Sequence, residues 1–166
     1  GGVGEAKTAG NYAACNLAEK QAQAQGFTQV LWLDAVERKY IEEVGSMNIF
    51  FVIDDEIVTP QLNGTILPGI TRKSVLELAR HWDLKTSERR ISIDEVLEGL
   101  ESGRVSEVFG AGTAAVISPV GLLHYRGQSS QVGDGQTGPV AKRFFQHLTA
   151  IQYGRENDPF GWVETV

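Results

Sequence analysis

The chain has 166 residues and a formal net charge of −6, with a sequence pI near 5.1. That balance speaks against a basic nucleic-acid surface, and no apolar run reaches the roughly 18–20 residues that span a bilayer as a helix. Hydrophobic residues at 42% and charged residues at 22% fit one domain with a real core, and the single Cys15 supplies neither a disulfide nor a cysteine-rich metal site.

No charged segment followed by an apolar one opens the chain, so the expected setting is cytoplasmic. The start Gly1-Gly2-Val3, without methionine, suggests a piece of a longer protein. In chain order, residues 11–25 place Ala14, Leu17, Ala18 and Ala22 at helical spacing, with Gly26 as the stop. Residues 28–33 have strand composition. Strands are expected over Tyr40–Val44, Asn48–Ile53 and Glu56–Thr59, with Asp54-Asp55 turning the last two into a hairpin. "LNGTILPGI" is turn-rich and leads into a helix from Thr71 to Trp82. "TSERRISI" reads as a strand. Ser92-Ile93-Asp94-Glu95 is a capping box opening a helix that Gly103 ends.

Val105–Phe109 is strand-like, followed by the glycine turn "GAGT". Ala114–Tyr125 holds two strands broken at Pro119. "GQSSQVGDGQTG" reads as a loop, and Pro139 suits the first turn of a closing helix. There are no internal repeats and no long linker, so the fold class is mixed α and β in one domain.

Four places can carry chemistry. Lys7, in "GEAKTAGNY", is most simply a solvated charge. The functional alternative is an amine that attacks a carbonyl in a site disfavouring the ammonium form, with Ala6, Ala9 and Gly10 admitting a flat cofactor. Glu42 and Glu43 alternate across a strand. Both can lie at an exposed strand end, or one can point inward, where it needs a cationic partner such as a protonated ring nitrogen. The segment "LPGITRKSVLELAR" opens a helix after Gly69 with free N–H groups at Ile70 and Thr71. It can hold a phosphate, or Thr71 can be a plain N-cap. "FGAGTAAV" can aim Thr113 and nearby amides at an anion, a weak signal taken singly. His81, His124 and His147 lack metal-ligand spacing, and no P-loop or Rossmann fingerprint occurs.

Together and in register, "KTAGNY", "EEVGSMNIFFV", "LNGTILPGITRKSVLELA", "EVFGAGTAAVISPV" and "AIQYG" resemble the branched-chain amino-acid aminotransferases, fold-type IV pyridoxal-phosphate enzymes. The resemblance runs from Val3 to about Gly154. It implies an α+β fold: the large C-terminal, cofactor-binding domain of the family, spanning 1–166, with a bent, barrel-like β-sheet surrounded by helices. An N-terminal domain that supplies a phosphate-binding arginine would be absent from this chain.

By this resemblance Lys7 forms the Schiff base with pyridoxal 5′-phosphate and carries the proton between the substrate α-carbon and the cofactor. Glu43 keeps the pyridine nitrogen protonated, and Tyr12 bonds the ring oxygen. Gly69, Ile70 and Thr71 hold the phosphate from one side and Thr113 from the other. Ser46, with Thr113 and Ala114, receives the substrate carboxylate. Tyr12 also borders the substrate, and Met47 lies near the side-chain pocket. Some members of the family carry a Cys-x-x-Cys pair after the Gly-Thr turn; here those positions are Ala115 and Ser118.

The implied reaction is transamination of leucine, isoleucine or valine with 2-oxoglutarate by a homodimer or larger homo-oligomer. The implied partners are small amino acids and 2-oxo acids, without nucleic acid or membrane. The alternatives are a D-amino-acid aminotransferase or aminodeoxychorismate lyase of the same fold, or a non-catalytic fragment.

Overall fold

The computed structural model describes residues 3–164; Gly1, Gly2, Thr165 and Val166 lie outside that range. Its elements are α1 (Ala9–Ala24), β1 (Leu31–Leu33), β2 (Ile41–Val44), β3 (Met47–Ile53), β4 (Glu56–Pro60), α2 (Ile70–His81), β5 (Thr86–Arg89), α3 (Ile93–Glu101), β6 (Val105–Gly112), β7 (Val116–Pro119), β8 (Leu122–Tyr125), β9 (Gln128–Gln131) and α4 (Pro139–Gln152).

Strand β3 organises the sheet. Its start pairs with β2 (Val44 opposite Met47) and its end with β4 (Ile53 opposite Glu56). β6 runs antiparallel beside it from Asn48 to Ile53. Two hairpin partners thus divide one edge of β3 while β6 takes the other. β1 and β7 extend the sheet outward, and β5 lies parallel to β4 after the α2 crossover. A parallel neighbour requires such a crossover, because a tight turn can only return the chain antiparallel.

Alternation along β3 and β6 builds a core on each face. Phe50, Val52, Phe109 and Ala111 pack with Val75, Leu78 and Ala79 of α2 and Ala141, Phe144 and Leu148 of α4. The other face buries Ile49, Phe51, Ile53 and Val108 against Ile93 and Val96 of α3 and Leu123 of the β8–β9 hairpin. Phe50 and Phe109 stack at 5.3 Å between centroids, and Phe144 tilts against Phe109 at 6.0 Å. Aromatic contacts of this kind contribute about 0.5–1.5 kcal/mol each beyond their buried area. Helix α1 stands apart, with none of its residues buried.

Several boundaries differ from expectation. The α2 N-cap is Gly69, so Thr71 lies inside the first turn and does not cap it. The segment after Tyr125 is not all loop. Arg126 and Gly127, at φ +50° and +81°, make a tight turn that pairs β9 with β8. β6 continues to Gly112 because β7 supplies ladder partners as far as that residue. The capping box is half formed. Ser92 Oγ accepts from the Glu95 N–H at 3.0 Å, but the Glu95 carboxylate pairs with Arg89. A nearby guanidinium is a stronger partner for that carboxylate than a backbone amide.

Candidate active site

Lys7 occupies an exposed turn just ahead of α1. Asn11, from the first turn of the helix, folds its amide back onto that turn. Its Nδ2 donates to Val3 O at 2.8 Å and to Ala6 O at 2.9 Å. The turn also touches the loop before α2, since a Cβ on Gly4 would lie 2.7 Å from Thr65 O. Thr65 Oγ1 in turn contacts Glu42 Oε1 at 2.5 Å. Tyr12 follows on α1, 39% exposed. One turn later Cys15 lies within the electrostatic reach of Glu43; burial first, then Glu19 and Glu43, pushes its thiol up.

Glu43 sits on β2 directly across from Asn48 on β3, so the two side chains share a sheet face. That face carries α2: Asn48 is followed two residues later by Phe50, which packs on that helix. Asn48 Nδ2 donates to Glu43 Oε1 at 3.3 Å and to Leu67 O at 2.9 Å. Burial pushes the Glu43 carboxyl up from 4.5 to about 7; the Leu67 amide opposes the rise and the Glu42 charge adds to it. The salt bridges among the described residues do not include Glu43. It is an acceptor held in place without a cation.

At the start of α2 the first intrahelical bond runs from Lys73 N–H to Gly69 O, at 3.0 Å. The amides of Ile70, Thr71 and Arg72 therefore lack carbonyl partners within the helix. Gly69 gives no side-chain cap, and no acidic residue occupies the first turn. Ile70 is 77% exposed. Arg72 is buried and anchors the turn, donating to Pro60 O at 2.9 Å and Glu88 Oε2 at 2.8 Å. A positively polarised terminus with free donors suits a phosphate.

The remaining expected residues lie at turn tips. Gly45 (φ +55°) and Ser46 form the β2–β3 turn, and Trp32 Nε1 donates to Gly45 O at 2.8 Å. Thr113 and Ala114 are exposed between β6 and β7. Met47 points to the face opposite Glu43, since adjacent strand residues alternate. It packs over Gly110 and Gly112, where a Cβ would come within 3.0 Å and 2.9 Å of its side chain. It lines a cavity of about 400 Å³ with Val44, Ala18 and Leu122.

The geometry thus joins Glu43 to the α2 terminus and brings the Lys7 turn and α1 alongside. Sequence reasoning gave no role to Asn48, Asn11 or Trp32. The signal for Asn48 was a lone carboxamide in the apolar run "MNIFFVI". The histidines contact aromatic rings or polar side chains: His81 the Phe160 ring, His124 Phe27 and Ser129, His147 Trp82 and Glu156.

The forked sheet thus holds, on one face, an uncapped helix terminus and a carboxyl without a cationic partner. Residues 3–123 match the family described as Amino-transferase class IV, and the chain belongs to it. It is 56% identical over its full length to branched-chain-amino-acid aminotransferase 2 of Bacillus subtilis, covering 46% of that protein. It is 55% identical over 162 residues to a probable branched-chain-amino-acid aminotransferase of Staphylococcus aureus, covering 45% of it. The chain therefore spans about half the length of these curated relatives. Among solved structures, the Escherichia coli branched-chain aminotransferase superposes with a TM-score of 0.82 at 34% identity, over 98% of this chain and 49% of that one. A T.th. branched-chain aminotransferase complexed with N-(5′-phosphopyridoxyl)-L-glutamate matches equally, at 0.82 and 34%, over 97% of this chain and 50% of that one. The fold is the fold-type IV architecture of these branched-chain aminotransferases. No helix among the described residues is long and apolar enough to cross a membrane.

Proposed function

We propose that this chain is the C-terminal, cofactor-binding domain of a branched-chain-amino-acid transaminase that exchanges amino groups between leucine, isoleucine or valine and 2-oxoglutarate. The observation that carries this is Glu43, an oriented and unpaired carboxyl on the same sheet face as the uncapped α2 terminus. Such an acceptor suits a pyridinium N–H, and the free amides suit a phosphate, so the residues fit pyridoxal 5′-phosphate. The names of the relatives, and the phosphopyridoxyl ligand of one structural neighbour, support the same reading.

When bound, that cofactor supplies an aldehyde that condenses with amines and a ring that withdraws electrons from a substrate α-carbon. Lys7 Nζ would be the amine that holds the cofactor aldehyde, and it would take and return the substrate α-proton. Glu43 keeps the ring nitrogen protonated, and forming that pair stabilises its charged form. Ile70 and Thr71 at the helix start would hold the phosphate together with Thr113, and Tyr12 would bond the ring oxygen. Ser46 with the backbone of Thr113 and Ala114 orients the substrate carboxylate. Met47 borders the side-chain pocket from the far face of the hairpin. An additional N-terminal domain and a partner subunit complete the pocket in a cytoplasmic homodimer or larger assembly.

The test is borohydride trapping in the full-length protein. A visible absorption band that borohydride bleaches, leaving pyridoxyl mass on the peptide containing Lys7, is expected, and Lys7→Ala should abolish it. Turnover of L-leucine but not D-alanine or aminodeoxychorismate should follow. Absence of the trapped peptide, or a preference for either other substrate, overturns the proposal.

A further inference from the structure

We infer that Asn48 is a positioning residue that couples the two ends of the cofactor site, fixing the Glu43 carboxyl at one end and the loop that opens α2 at the other. This assignment rests on the reading of Glu43 and the α2 terminus given above. Asn48 is 4% exposed, and its one Nδ2 group serves both Glu43 Oε1 and Leu67 O. Leu67 links onward: its carbonyl also accepts from Gly69 N–H at 2.9 Å, and its amide favours the Glu43 anion. Asn48 Oδ1 presses on Gly69, so that a Cβ there would overlap it. Glu43, Asn48, Leu67 and Gly69 therefore form one connected unit, and Gly69 is the N-cap of α2.

Only a carboxamide serves at position 48. An aspartate would set a second carboxylate against Glu43, and a leucine would remove one donor from each of two part-buried acceptors, Glu43 Oε1 and Leu67 O. Glu42 on its own strand and Cys15 on α1 are coupled to Glu43 electrostatically. Neither is cationic; Asn48 Nδ2 donates to the carboxylate, and the Leu67 amide also favours its anion. A disturbance at Gly69, which touches Asn48, should then be felt at Glu43.

The experiment uses the full-length protein without cofactor, with ¹³C-labelled glutamate, the Glu43 resonance being assigned by its loss in Glu43→Gln. Asn48→Ala should move the Glu43 titration midpoint up by about one unit, because a donor to the anion is lost. It should also lower the preference for pyridoxal phosphate over pyridoxal about tenfold, as the α2 terminus loses its tether. Gly69→Ala keeps the amide but displaces it, and should shift the same midpoint; the effect should vanish in the Asn48→Ala background. If Asn48→Ala does not fold, Gly69→Ala alone carries the test, and an unmoved midpoint in it overturns the role of Asn48. An unmoved midpoint in Asn48→Ala, or a Gly69→Ala effect that persists in the double variant, overturns the role of Asn48. The titration readout needs neither cofactor nor a Lys7 adduct, so failure of borohydride trapping sinks the cofactor reading separately.

Discussion

Glu107, on β6, reaches across to the start of α4, where its carboxylate accepts the N–H of Ala141 at 2.9 Å and that of Val140 at 2.8 Å. Gly138 precedes this turn without a side-chain cap, and a Cβ there would overlap the Glu107 carboxylate. The closing helix is thus capped by a strand residue far upstream in the chain. The charge also complements the helix dipole.

Glu107→Ala should cost about 2–3 kcal/mol of stability, since it leaves buried backbone donors without a charged acceptor. Urea unfolding measures this, and a loss under ~0.5 kcal/mol would show that water replaces the carboxylate. Gly138→Ala should lower stability as well, by forcing the carboxylate off its amides.

Glu43 predicts a pH dependence of stability in the cofactor-free protein. Its ordinary value is 4.5 and burial raises it to about 7 in the fold. Between those values the folded state binds more protons than the unfolded state, so stability from this group falls as pH rises from about 4.5 to about 7. Glu43→Gln should flatten that slope. Unfolding midpoints measured on both proteins at several pH values check it, and parallel slopes would refute the assignment.

Trp32 fixes the turn that carries Ser46 by its bond to Gly45 O. Trp32→Phe keeps most of the ring and removes the donor. If Ser46 orients the substrate carboxylate, KM for L-leucine should rise about threefold to fivefold, the equivalent of one ordinary hydrogen bond, with kcat little changed. A fall in kcat at constant KM would contradict this role.

Asn11 cross-links the Lys7 turn to α1 through Val3 O and Ala6 O. Asn11→Ala should increase amide exchange across residues 3–8 and slow formation of the borohydride-trapped adduct several-fold. Hydrogen exchange followed by mass spectrometry provides the measurement. Unchanged exchange in that segment would mean that the turn is held by other contacts.

Much of the local structure was legible in the chain. The continuous apolar run of "NIFFVI" specified β3, and Asp54-Asp55, both at positive φ, marked its hairpin. Ser92 was readable as an N-cap and Pro139 as a helix start. These signals work because spacing and backbone preference act within a few residues. The five motifs in register also carried the family.

Only the tertiary structure decided which donors and acceptors meet. Whether Gly69 or Thr71 caps α2 depended on where the loop is pinned by Asn48 and Leu67. The second strand of the β8–β9 hairpin needed β8 beside it, because "QSSQ" has no apolar pattern of its own. That Glu43 rather than Glu42 lies across from Asn48 followed from the β2–β3 register. Local sequence encodes period and propensity, whereas burial, register and the charge of a carboxyl depend on residues distant along the chain.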